Sequence, residues 1–323
     1  MAKVIIGIHG LGNKPPRRIL KRWWKKSIRE GLTAISQPRF FIKFDFVYWS
    51  DLLYPKPLNP RIKDEKNPLY LDDPYTRGKD FQKKSPSKIR KKILDYLRKQ
   101  LDNIFLNDDK SLNFSSISDL IIHSFFKELE LYYSSTCIGK KGAGCLVRDV
   151  MRERLRTTLK KYQKDEILLI AHSMGSIIAY DVLRFSDDDI KVDYFVTIGS
   201  PLGLPIVVSR IASEQNRSLK KEDKIQTPEA VLRQWYNFSD LEDKVAIDYS
   251  LAGDYEPNSH HIGVKDMLVY NNYEKNGERN PHKSYGYLRT KELAAVIHDF
   301  LGGGKSTFLG AFIKKFKNYR AEN

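Results

Sequence analysis

The stretch that most constrains this chain is EILLIAHSMGSIIAYD, residues 166–181. Ile167 to Ala171 is a short, unbroken apolar run of mostly branched residues, the pattern of a strand buried on both faces. Ile177, Ile178 and Val182 then recur at helical spacing. A chain that passes from strand to helix within about two residues needs small side chains at the corner. Ala171, Gly175 and Ser176 supply them, and Ser173 stands at the apex. Such a corner belongs to a sheet with helices packed on its faces, so the expected class is α/β.

A serine on that corner has its hydroxyl clear of the backbone and close to a helix N-terminus. Alone it is a weak nucleophile. It needs a base, a carboxylate behind the base, and N–H donors for the oxyanion formed on attack. Ala-x-Ser-x-Gly also fits an ordinary strand-to-helix turn, so the partners have to be found elsewhere in the chain.

The N-terminus offers the first. Val4 to Ile8 is a buried strand that runs into His9-Gly10-Leu11-Gly12-Asn13, and the glycines allow the backbone to approach a ligand and present N–H groups. A dinucleotide loop is excluded, because its third glycine would fall on Pro15. The strand followed by His-Gly-Leu-Gly, and the later Ala-His-Ser-Met-Gly, resemble the lipase and esterase branch of the α/β-hydrolase superfamily. That resemblance implies a mostly parallel sheet flanked by helices, and Ser173 as nucleophile. It also implies an oxyanion hole from the N–H groups of Met174 and Leu11, and no cofactor.

The same resemblance organises the second half. Strands are expected at 191–198, 231–238 and 262–270. Leu202 and Leu204, in the loop after the first of these, are implied as acyl-pocket residues. Past the second strand Asp240, Glu242, Asp243 and Asp248 all compete as the carboxylate. The family form, aspartate followed two residues later by a branched apolar residue, matches Asp243 and Val245 and leaves Asp240 as the reserve. Of seven histidines, His9 lies in the N-terminal turn, and His172 in the elbow with a side chain expected to point away from Ser173. His123 falls in an insertion, His298 in the last helix, and His260 and His261 precede the final strand. His282 follows that strand, ahead of a helix expected at 288–301, where the resemblance places the base.

The α/β rhythm stops between the strand at 40–49 and the helix at 147–162. The organisation read from this is a core at 1–50 and 145–302, an insertion at 51–144 and a tail at 303–323. Residues 54–88 read as an extended loop dense in proline, lysine and aspartate. Apolar stripes at helical spacing over 87–106 and 116–133 suggest a helical cap or lid. In the helix at 19–32, Trp23 and Trp24 are surrounded by basic residues, and one ring is expected on the sheet with the other under lysine stems.

The net charge of +16 favours anionic partners, but no nucleic-acid module accompanies it. The tail places Phe308, Leu309, Phe312, Ile313 and Phe316 on one side and lysines on the other, so Lys305 to Tyr319 is a candidate contact to an anionic membrane surface. With two cysteines and no run of ~18 apolar residues, a soluble cytoplasmic protein is expected. Asp254, Glu256, His260 and His261 match no metal-ligand spacing. The end of GGGKST at 302–307 lacks the first glycine of a phosphate loop, since Asp299 stands there. The expectation is a serine ester hydrolase acting on ester or lipid substrates. Thioester hydrolysis or acyl transfer by the same residues, and a catalytically silent membrane or interaction protein on the same frame, are the alternatives.

Overall fold

A computed structural model describes residues 1–38, 41–78, 132–133, 137–138, 145–185, 190–214, 224–246 and 248–302. Six strands form one sheet: β1 (Lys3–Ile8), β2 (Phe44–Val47), β3 (Glu166–His172), β4 (Val192–Ile198), β5 (Val231–Ser239) and β6 (Val264–Leu268). Their spatial order is β6-β5-β4-β3-β1-β2, and every pairing is parallel. Parallel strands with both faces covered carry continuous apolar runs. Ile167 to Ala171 in β3 and Val4 to Ile6 in β1 are accordingly buried. Each such large side chain contributes about 1.5–3 kcal/mol relative to exposure.

Two apolar cores lie on opposite faces of the sheet. One gathers α1 (Arg17–Ala34), α5 (Ser284–Leu288) and α6 (Lys291–Phe300). The other gathers α2 (Val147–Lys161), α3 (Met174–Phe185) and α4 (Pro205–Glu214). On α1, Leu20, Trp23, Trp24, Ile28 and Leu32 form the buried stripe. Trp24 lies on the sheet at Gly7, where an added Cβ would come within 2.8 Å of its ring. Trp23 stacks on Tyr75.

The helix expected at 288–301 is α6, which starts at Lys291, while Leu288 closes the short α5 ahead of it. Thr290 caps α6, its hydroxyl accepting the Leu293 N–H at 3.3 Å. Arg289, fully buried between α5 and α6, donates to the Thr76 carbonyl at 2.6 Å and faces Glu30 at 3.4 Å.

Of the expected insertion, residues 53–78 are a run of turns and loop, parts of which lie against the body. The Tyr273 hydroxyl donates to the Pro74 carbonyl at 2.7 Å, and Asn280 Nδ2 to Asp73 at 2.9 Å. The stripes at 87–106 and 116–133 lie outside the described residues, except Tyr132 and Tyr133, as does the tail at 303–323. Tyr132 is buried, and its hydroxyl donates to Asp181, which also receives Arg152 at 2.6 Å. Among the described residues, no helix is long and apolar enough to cross a membrane.

The chain order sets where a site can form. From β1 the chain goes to β2 on one side, then returns to β3 on the other, so the order reverses between β1 and β3. In open α/β sheets, ligands bind beyond the carboxyl ends of the strands at such a reversal. The loops that leave there begin at His9 and Ser173.

Candidate active site

Ser173 occupies the corner between β3 and α3 with φ +53°, a conformation that costs a residue bearing a Cβ about 1–2 kcal/mol. The surroundings hold it there. Its N–H donates to the Ile198 carbonyl at 3.1 Å, and its own carbonyl accepts from the Ser176 hydroxyl at 2.6 Å. Ser176 Oγ is in turn 2.7 Å from Ser200 Oγ. At Gly175 an added Cβ would meet the His9 carbonyl oxygen at 2.7 Å, so the corner and β1 can be this close only with glycine there.

The loops after β5 and β6 bring the partners. His282 Nε2 is 3.1 Å from Ser173 Oγ, and His282 Nδ1 is 2.9 Å from both carboxylate oxygens of Asp243. With Nδ1–H donating to the carboxylate, Nε2 is left to accept the serine hydroxyl proton. Burial pushes the Asp243 carboxyl up. The facing His282, with the hydrogen bonds from His282, Tyr287 and the Val245 N–H, outweighs burial and leaves the pKa lowered. Asp243 is therefore ionised in a site with almost no solvent contact. The Tyr287 hydroxyl donates to Asp243 Oδ2 at 2.7 Å and accepts the Asp240 N–H at 3.0 Å.

Asp240, three residues earlier, is equally buried but faces elsewhere. It pairs with Arg279 and accepts the N–H groups of Asn271 at 2.7 Å and Glu242 at 2.8 Å. Glu242 also pairs with Arg279, and Asp248 lies behind Gly203. Of the four carboxylates in contention, the fold brings Asp243 to His282.

The N-terminal turn abuts the serine, since a Cβ added to Gly10 would lie 2.5 Å from Ser173 Cβ. Leu11 is half-buried in that turn, and Met174 opens α3 with an N–H that has no place in the helix ladder. Leu202 is fully buried, its carbonyl accepting the Tyr255 hydroxyl at 3.0 Å, and Leu204 is half-buried against the same core.

His172 packs beside His282: its ring lies 4.8 Å from the His282 ring, and its Nε2–H donates to the His282 carbonyl at 2.8 Å. Burial, then the charge of His282, push its pKa well below the ordinary range, so it is neutral. The residue steadies the backbone of His282.

Gly199 is a residue that sequence reasoning missed. It has φ +53°, and an added Cβ would lie 2.8 Å from Asp243 Oδ2 and 3.2 Å from His282 Nδ1. Its signal was a glycine directly after a predicted strand. Tyr287 carried no signal beyond its place near His282.

Among the described residues, no group of three or more His, Cys, Asp or Glu side chains is disposed to hold a metal ion. No family model and no curated protein matches the chain.

Proposed function

We propose that this chain is a serine hydrolase on an α/β-hydrolase frame that cleaves carboxylic esters through an acyl-enzyme. The observation that carries this reading is the continuous relay from Ser173 Oγ through His282 to Asp243 at the strand-order reversal. Strained serine, base, ionised carboxylate and neighbouring backbone turn occur together, and the triad follows the chain order serine, aspartate, histidine of that fold.

In this mechanism Ser173 Oγ attacks the acyl carbonyl while His282 Nε2 takes its proton. Asp243 holds the imidazole in the tautomer that can accept it, then faces the imidazolium. The N–H groups of Met174 and Leu11 receive the oxyanion. As the tetrahedral intermediate collapses, His282 gives the proton to the departing alkoxide, and an alcohol leaves. Water, deprotonated by His282, then attacks the acyl-enzyme and frees the acid and Ser173. Leu202 and Leu204 are proposed to line the acyl side, with residues 51–144 as the cap. Ester or lipid substrates fit that apolar lining, and Lys305 to Tyr319 supplies a contact to anionic membrane.

A fluorophosphonate probe tests the reading, because it reacts only with an activated serine. Native protein is expected to label and Ser173→Ala to be silent. An unlabelled native protein, or labelling that survives Ser173→Ala, rejects the assignment. A series of esters graded in acyl length and head group then defines the substrate.

A further inference from the structure

His282 has to keep Nε2 at Ser173 and Nδ1 at Asp243 at the same time. Yet it stands in a stretch, 269–283, whose regular structure is one two-residue ribbon, Glu274–Lys275 against Glu278–Arg279. The carbonyls around it are held from the core. Asn271, fully buried, donates through Nδ2 to the Pro281 oxygen at 2.7 Å and the Lys283 oxygen at 2.8 Å, and His172 holds the carbonyl of His282 itself.

The backbone N–H of His282 is held from another direction. It donates to Oδ1 of the half-buried Asn280 at 3.1 Å. A carboxamide presents its oxygen or its NH2 according to a half-turn of its last bond, so its orientation has to be set by a partner. Asp73 sets it. A carboxylate can only accept, and Asp73 Oδ2 takes Asn280 Nδ2 at 2.9 Å, which leaves Oδ1 for the His282 N–H. The same Asp73 oxygen is 3.3 Å from Lys283 Nζ. Burial pushes the Lys283 ammonium toward neutrality, and Asp73 opposes that. One carboxylate thus holds residues on both sides of the base.

Asp73 lies in the expected insertion, 207 positions from Asn280. Its neighbours fasten that segment independently. Lys275 Nζ donates to Asp72 at 2.7 Å, the Tyr273 hydroxyl to the Pro74 carbonyl at 2.7 Å, and the Thr76 hydroxyl to the Glu274 carbonyl at 3.1 Å. Removing the Asp73 side chain therefore frees Asn280 and Lys283 while the segment stays attached.

We propose that Asp73 is a positioning residue for the base, its carboxylate setting the Asn280 amide that holds the His282 N–H and drawing Lys283 to the same oxygen. The inference rests on His282 being the base of a serine hydrolase. It goes beyond that reading by giving a residue of the insertion a part in turnover that passes through the backbone of His282.

Three variants separate orientation from charge and from attachment. Asp73→Ala removes both the acceptor and the charge. Asp73→Asn removes the charge, but its amide oxygen can still accept from Asn280 Nδ2. Asp72→Asn removes an equal charge one residue away, at the contact with Lys275. With p-nitrophenyl butyrate, Asp73→Ala is expected to lose about tenfold to a hundredfold in kcat at little-changed KM, the scale of a small misplacement of a reacting group. Its rate of Ser173 labelling by fluorophosphonate falls by a similar factor, since the same base activates the serine. Asp73→Asn recovers most of both rates, and Asp72→Asn keeps them at the native level. A merely structural role would instead make kcat follow melting temperature. Native rates in Asp73→Ala, an Asp73→Asn variant as slow as Asp73→Ala, or activity that follows melting temperature across the three overturns the proposal. If native protein labels at Ser173 when that happens, only the role of Asp73 is lost. If native protein fails to label, the hydrolase reading falls with it.

Discussion

The two sides of the centre bury an ionisable group in the same way and leave it in opposite charge states. Asp243, behind the base, is kept ionised. His9, behind the N-terminal turn, is kept neutral. Burial pushes both toward neutrality. At Asp243 it is overcome by donors converging on one carboxylate: His282 Nδ1–H, the Tyr287 hydroxyl and the Val245 N–H. At His9 nothing comparable opposes it, because Lys14 pushes the same way and only the Gly10 carbonyl resists. The lesson is that burial alone does not decide charge state; the count and sign of the partners do.

The largest expected effect comes from removing the charge on the acid side. Asp243→Asn keeps the shape but permits the wrong imidazole tautomer, and kcat should fall on the order of 10⁴-fold. Asp240→Asn is the control, for its carboxylate serves Arg279 and two N–H groups. It should cost roughly 1.5–3 kcal/mol in urea-induced unfolding and less than about tenfold in kcat. Equal losses of turnover in the two variants would erase the distinction between the aspartates.

The neutral side is exposed by acid. The folded chain leaves His9 unprotonated down to about 3, and His172 is likewise held well below 6.5, whereas both titrate ordinarily once unfolded. The unfolded state then binds more protons, so stability falls with pH by about 1.4 kcal/mol per unit for each fully engaged histidine. This loss begins near 6.5. Asp243, lowered from 3.8, stabilises above that value and loses its contribution only as pH falls through its depressed pKa. Asp181 and Asp240, raised above 3.8 by burial, act with the opposite sign where they titrate. The interval just below pH 6.5 is where the buried imidazoles begin to contribute. Urea melts across that interval should slope downward toward acid, and a flat profile would mean that the buried rings carry charge.

The smallest effect should come from Tyr287→Phe, which removes the one hydroxyl that bridges the aspartates. A loss of about 1 kcal/mol in stability and about tenfold in kcat is expected. An unchanged kcat would show that Asp243 is held well enough by its other donors.

The serine at the corner was legible because everything that presents it is local: an apolar strand, small residues at a corner and a helix within sixteen consecutive positions. The six strands were legible for the same reason, although β2 and β6 proved shorter than their apolar patterns. Asp243 was favoured over Asp240 only by resemblance, since both are buried aspartates on one loop. The contact of His172 with the His282 carbonyl was not legible, because its partner is 110 positions away. The start of α6 at Lys291 instead of Leu288 was hidden because Arg289 is drawn toward Glu30 and Thr76 by contacts far away in sequence.

Order along the chain and the period of its apolar residues were enough to determine an α/β sheet and to point to Ser173, because backbone geometry converts spacing directly into faces and corners. Which aspartate meets the imidazole, which histidines stay neutral and which glycine makes room at Gly199 were decided only by the folded chain. Those outcomes depend on approaches of a few ångströms between loops far apart in sequence, where no local periodicity carries a trace.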